Sequence, residues 1–218
     1  MILDLSHEIS AGMVTYPGLA GPELRTVITR EQSAARLADG VSFEIESLTL
    51  VGNTGTYMDS PFHFHAELAD LAALPLDRLV GVPIALVHAT TLTSIGPDDL
   101  GDPARFADRA VLIRTGWARH WGTPRYTELD SPHLSAAAAA ALADAGAAVV
   151  GIDSLNIDNP TNPERPAHFR LLRAGIPIIE HLTSLEAVPD DGARLTALPA
   201  PVRGMATFPV RAVAVWAA

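Results

Sequence analysis

The sequence contains no cysteine, and that one absence removes several kinds of chemistry. Without thiols there is no disulfide framework, no thiolate zinc site and no cysteine nucleophile. The same lack fits a reducing compartment, and a cytoplasmic location is the expectation. Basic residues are the second shortage: 15 Lys and Arg against 25 Asp and Glu leave a net charge of −10. Phosphate binding needs clustered cations, so nucleic acid is not an expected partner. Long hydrophobic runs are missing too. The most apolar stretch, Ala136 to Ile152, is mostly alanine and carries Asp144 and two glycines, so no membrane span is expected. The start, Met-Ile-Leu-Asp-Leu-Ser-His-Glu, lacks the basic region and apolar core of a signal peptide. A Gly-rich phosphate loop and a Gly-x-Ser-x-Gly elbow are both absent, which argues against kinase, dinucleotide-binding and serine-hydrolase readings.

What remains is an ordinary globular composition. The chain has 218 residues, 48% of them hydrophobic, enough for one domain over residues 1–218 with a substantial core. Ile2–Leu5, Val82–His88, Val111–Arg114, Ala147–Ile152 and Val210–Trp216 read as strands, and Pro177–Glu180 starts another. Residues 41–51 alternate with Phe43 and Ile45 opposite Glu44 and Glu46, then change phase, which predicts a strand with a bulge near Ser47. This strand is expected to lead straight into the loop at 53–63. Ser135 is placed to cap a helix over Ala136–Ala145 that Gly146 closes. A second helix is expected from Pro166 to Arg173, with Gly175 as its stop. Strand, helix and strand in succession imply a right-handed crossover and a partly parallel sheet, so the class is α/β with a mixed sheet.

The stretch 53–63, Asn-Thr-Gly-Thr-Tyr-Met-Asp-Ser-Pro-Phe-His, sets a carboxylate, Asp59, four residues before an imidazole, His63. Carboxylate and neutral imidazole are ligands for Zn²⁺ or Mn²⁺. His168 and Glu180, more than a hundred positions later, offer a second imidazole and a second carboxylate. The four together make a candidate shell for one divalent ion. His65 and His181 read as neighbours of the site or exposed residues; His7, His88, His120 and His133 carry no pattern. Asp153 and Asp158 follow a buried strand and stand open between site residues and loop caps.

These residues resemble a family. Residues 53–63 follow, without a gap, the frame His-x-Gly-Thr-His-x-Asp-x-Pro-x-His of the metal-dependent cyclase family, which includes bacterial kynurenine formamidases and isatin-type hydrolases. Met13–Gly18, Pro75–Pro83, Val111–Trp121, Gly151–Asp158, Pro166–Leu182 and Pro201–Val215 extend the similarity over most of the chain. The resemblance implies a swivelling β/β/α-type fold and assembly as a homodimer or larger homo-oligomer. It also implies a metal-dependent hydrolase or cyclase acting on a small carbonyl substrate. In formamidase members the loop's first two His bind one metal, its Asp bridges, and its last His serves a second metal with a His and a Glu twelve residues apart. Carried over, these are Asp59 as the bridge, His63 as the loop's last imidazole, and His168 with Glu180, also twelve apart. The first two family histidines are replaced by Asn53 and Tyr57. A phenol with a pKa near ~10 is a poor zinc ligand. One ion per chain, Zn or Mn, is therefore the expectation, with Tyr57 as a candidate proton donor and His63 as a candidate catalytic group. A catalytically silent member that binds a ligand or a partner protein, with no metal, is the competing expectation.

Overall fold

The structure is a computed structural model and describes residues 1–217. Its elements run β1 (Ile2–Asp4), β2 (Glu23–Ile28), α1 (Arg30–Ala34), β3 (Ile45–Thr49), β4 (Tyr57–Asp59), β5 (Val82–His88), β6 (Ser94–Ile95) and α2 (Pro97–Leu100). They continue with β7 (Ala110–Arg114), β8 (His133–Leu134), α3 (Ala136–Asp144), β9 (Val149–Ile152), α4 (Pro166–Arg173), β10 (Ile178–Glu180), β11 (Arg194–Pro199) and β12 (Thr207–Val215). The mixed α/β class expected from the sequence holds.

Seven strands close a barrel-like ring in the order β12-β11-β5-β7-β9-β10-β4 and back to β12. Strands β5, β7, β9 and β10 are parallel, and the other ring pairings are antiparallel. Closure depends on the length of β12. Its first three residues, Thr207–Pro209, pair with β4, and its last three, Val213–Val215, pair with β1.

Alternation along each strand divides the apolar side chains between two cores. Ile84, Leu86, Ala110, Leu112, Val149 and Ile179 point into the ring. Their neighbours Ala85, Val87, Val111, Ile113, Val150 and Ile178 point outward under α3 and α4. Gly151 faces inward because a Cβ there would lie 2.6 Å from Leu182 Cδ1 and 2.9 Å from Leu112 Cδ2. Ser135 accepts from the Ala138 N–H to cap α3, and Gly146 ends that helix with φ +74°. Helix α4 has the predicted bounds and buries Ala167, His168, Leu171 and Leu172.

The expectation for residues 41–51 needs correction. Only Ile45–Thr49 is a strand; it pairs with β2, and the irregularity lies in β2 between Thr26 and Ile28 instead of near Ser47. Every residue of β3 is exposed, so its alternation marks no buried face in this chain. Nor does β3 supply the site. Residues Tyr57–Asp59 form a strand of their own inside the ring. Strand β11 lies outside the strands the sequence predicts, and β12 begins before the expected Val210. Among the described residues, no helix is long and apolar enough to cross a membrane.

Candidate metal centre

Strand β4 lies antiparallel to β10, with Tyr57 opposite Glu180 and Met58 opposite Ile179. The two-residue period sends Met58 and Ile179 into the ring core. Tyr57, Asp59 and Glu180 therefore fall together on the outer face, where the buried side of α4 brings His168 down upon them.

Asp59, His168 and Glu180 are all buried, and one ligand atom from each lies within 4.8 Å of the other two. His168 Nε2 is 3.6 Å from Asp59 Oδ2 and 3.6 Å from Glu180 Oε1. These separations are too long for hydrogen bonds. Both Asp59 oxygens are buried without a hydrogen-bond partner among the described residues. The other ring nitrogen, His168 Nδ1, is 2.6 Å from Asp158 Oδ2. That carboxylate also accepts from the N–H of Ala167 at 2.7 Å and of His168 at 3.0 Å. Asp158 thus fulfils both readings left open for it: it caps α4 and turns Nε2 toward Asp59 and Glu180. Asp153 proves to be a loop cap, accepting from the N–H groups of Thr115 and Gly116 and from the Thr115 hydroxyl.

Glu180 is held from several sides. Its Oε1 accepts from the Ile157 N–H at 2.7 Å. Its Oε2 accepts from the Tyr57 hydroxyl and from Asn156 Nδ2 at 3.3 Å, while the Tyr16 hydroxyl, 3.4 Å away, donates to the Leu155 carbonyl at 2.5 Å. Burial raises Glu180 to about 7, with Asp59 adding to the rise and His168 opposing it. Burial alone would lower His168, but Asp158, Asp59 and Glu180 outweigh it and raise the imidazole to about 10. Burial and then the Glu180 charge push the Tyr57 phenol well above its ordinary value. It is a neutral donor held on a carboxylate.

His63 stands apart. Its side chain is 31% exposed, and its Nε2 approaches Asp59 Oδ1 only to 3.9 Å. It is not among the three mutually close ligands. Burial lowers its pKa, the Asp59 charge opposes this, and His168 and Arg165 lower it further. Of the four candidate ligands, Asp59, His168 and Glu180 form a buried trio, and His63 lies beside Asp59 and partly exposed. Asn53 accepts from the Thr207 hydroxyl at 3.0 Å and its side chain also reaches the Tyr57 phenol.

Of the two readings for His65 and His181, neighbours of the site or exposed, exposure does not hold. His65 is buried, with Nε2 3.0 Å from the Phe169 carbonyl. His181 is fully buried, adopts φ +58°, and has an Nε2 without a partner among the described residues. A left-handed His and an unmatched buried nitrogen together work against folding by roughly 2–5 kcal/mol. His7, which carried no sequence pattern, stacks on Trp121 with ring centres 3.9 Å apart and also has a buried, unmatched Nε2. Burial lowers His7 to about 4 and His181 to about 3, so both rings are neutral near neutral pH. Nothing in the linear order of residues signals that His7 and His181 share one cluster.

The Cyclase family model matches residues 3–159. The kynurenine formamidase of Bacillus cereus is 30% identical over 211 residues, spanning 97% of this chain and 95% of that protein. The chain belongs to the Cyclase family. Among solved structures, isatin hydrolase A from Labrenzia aggregata, bound to benzyl benzoate, superposes with a TM-score of 0.83 at 20% identity, covering 98% of this chain and 93% of the other. A protein described as a predicted metal-dependent hydrolase, from Bacillus stearothermophilus, gives 0.76 at 25% identity, covering 98% and 97%. Membership makes this chain one of the family's hydrolase and cyclase enzymes, acting on a small molecule, as its motifs implied.

Proposed function

We propose that this enzyme hydrolyses the C–N bond of a small amide or cyclic amide with one divalent ion held by Asp59, His168 and Glu180. The observation that carries the proposal is the Asp59 carboxylate, buried with both oxygens unpartnered beside a second buried carboxylate. A single imidazolium cannot balance two such charges, and a divalent cation can. Two oxygens and one nitrogen suit Zn²⁺ or Mn²⁺. When bound, such an ion supplies Lewis acidity that polarises a carbonyl or acidifies water.

The chain's own groups supply the rest. Asp158 keeps the His168 Nδ1 proton, so Nε2 presents its lone pair to the centre. Tyr57, Asn156 and the Ile157 N–H fix both oxygens of Glu180. His63, neutral and open to solvent, is placed to accept at Nε2 the proton of the water that adds to the carbonyl carbon. It then delivers that proton to the departing nitrogen as the C–N bond breaks, leaving a carboxylic acid and an amine. We assign His63 this proton-carrying role instead of direct ligation.

The test is hydrolysis of N-formylkynurenine and of isatin by protein loaded with Zn²⁺ or Mn²⁺, with elemental analysis of the same samples. About one ion per chain and turnover abolished by chelator are expected. A protein that takes up no ion from either metal is instead the silent ligand-binding member.

We also propose that the enzyme is a homodimer. The β2–β3 hairpin pairs with no other strand among the described residues, and a lone two-stranded ribbon is marginal in water. Leu24 and Leu48 face each other in register and are 55% and 52% exposed. A second copy would cover this patch. Sedimentation of a Leu24→Glu, Leu48→Glu variant should show monomers where the parent shows dimers. The cysteine-free composition supports a cytoplasmic location.

A further inference from the structure

Strands β5, β7 and β9 run parallel, and their carboxyl ends open on a cavity of about 320 Å³. In parallel sheets that end is where small ligands are commonly held. Thr90 lies two residues beyond β5, Arg114 is the last residue of β7, and Asp153 follows β9; all three line the cavity. Thr183 and Glu186, from the segment after β10, close another side. Arg119 completes the wall. The chain turns at Gly116 with φ +74°, and Arg119 Nη1 folds back to donate to the Gly116 carbonyl at 2.7 Å. A Cβ at Gly116 would lie 3.0 Å from that nitrogen, so the glycine makes room for the guanidinium. No residue of the metal centre lines this cavity.

Arg114, Arg119, Asp153 and Glu186 bring two charges of each sign to this one space. Among the described residues, none of the four lies within 4.0 Å of an opposite charge. Asp153 is already engaged, since its carboxylate accepts from two backbone N–H groups and the Thr115 hydroxyl. The others are not. Arg114 is half-buried, and its guanidinium has no hydrogen-bond partner among the described residues. Glu186 is exposed at the rim and its carboxylate is equally without a partner, as are the hydroxyls of Thr90 and Thr183. A half-buried guanidinium with no acceptor forgoes the charge-assisted hydrogen bonds its planar fork is built to make. A simple anion would satisfy Arg114 and leave Glu186 facing a like charge; a simple cation would do the reverse. A molecule carrying both signs satisfies both.

We propose that this cavity binds a small zwitterion of the α-amino-acid class, at a site separate from the metal centre. The Arg114 fork takes the carboxylate, with Arg119 beside it. Glu186 accepts from the ammonium group, and the Thr90 and Thr183 hydroxyls complete the hydrogen bonding. The volume lies at the lower end for ligand cavities, which suits a molecule of this size.

Protein labelled with ¹⁵N-arginine tests this by titration with free alanine at constant ionic strength, read at the arginine Nε–H signals. The Arg114 signal, assigned by its loss in Arg114→Gln, is expected to move saturably. Acetate and methylammonium each carry one of the two charges and should bind about tenfold more weakly, for want of one charge-assisted contact. By calorimetry, Arg114→Gln and Glu186→Gln should each weaken alanine binding about tenfold, and Arg114→Lys, which keeps the charge without the fork, should recover part of the loss. Glu186 is exposed, so its variant keeps the test decisive even if Arg114→Gln misfolds. An Arg114 signal unmoved by alanine overturns the proposal. So does acetate binding as tightly as alanine, which would make this a plain anion site, or an alanine affinity unchanged in Glu186→Gln. These readouts need neither ion nor turnover, so they fail separately from the hydrolase reading.

Discussion

Loading the centre with Zn²⁺ should release protons in a number that depends on pH. An ion needs His168 Nε2 unprotonated and Glu180 ionised, yet without it His168 holds its proton up to about 10 and Glu180 up to about 7. At pH 7.5 binding should therefore expel ~1 proton per ion, rising toward ~2 at pH 5.5. Apparent affinity should climb about tenfold per pH unit between 7 and 10, and more steeply below 7. Isothermal titration in buffers of different ionisation enthalpy counts these protons directly. Binding heats independent of buffer at pH 7.5 would refute the reasoning, because His168 would then already present a free lone pair. The same shifts set the stability of the ion-free protein. Both pKa values are raised on folding, so each proton's contribution is complete below the unfolded value and fades as pH rises through the folded one. Glu180's share should disappear between its ordinary range and about 7, and His168's between about 6.5 and 10. Urea midpoints of ion-free protein should fall over that range.

Three further outcomes are expected. Asp158→Asn replaces an acceptor that serves three N–H groups, and loss of the charge should cost roughly 1.5–3 kcal/mol of stability in urea unfolding and weaken Zn²⁺ uptake; unchanged ion affinity would show that the His168 ring needs no such orientation. The double variant Asn53→His, Tyr57→His restores both family imidazoles and should raise the metal content from about one to about two ions per chain, read by elemental analysis. Gly52→Ala sets a Cβ 2.4 Å from the Thr207 carbonyl oxygen and should destabilise by about 1–3 kcal/mol as β12 shifts, a result contradicted by an unchanged urea midpoint.

The residues themselves carried much of this protein. Ser135, Gly146, Pro166 and Gly175 mark helix ends through caps and left-handed turns, which depend on neighbours a few positions away. The apolar runs of β5, β7 and β9 likewise declare buried parallel strands, and the motif at 53–63 with His168 and Glu180 named the ligand types before any contact was known. Other features exist only through pairing across the whole chain. Strand β4 has three residues, too few for a visible period, and it persists because β10 and β12 hydrogen-bond to its two edges. That pairing decides that Asp59 and Glu180 share a face, that Tyr57 meets Glu180, and that His63 lies beside Asp59 and partly exposed. It also draws His7 and His181 against one indole from opposite ends of the sequence. Local chemistry is written in adjacent residues, whereas convergence is set by register between strands more than a hundred positions apart, which no local pattern encodes.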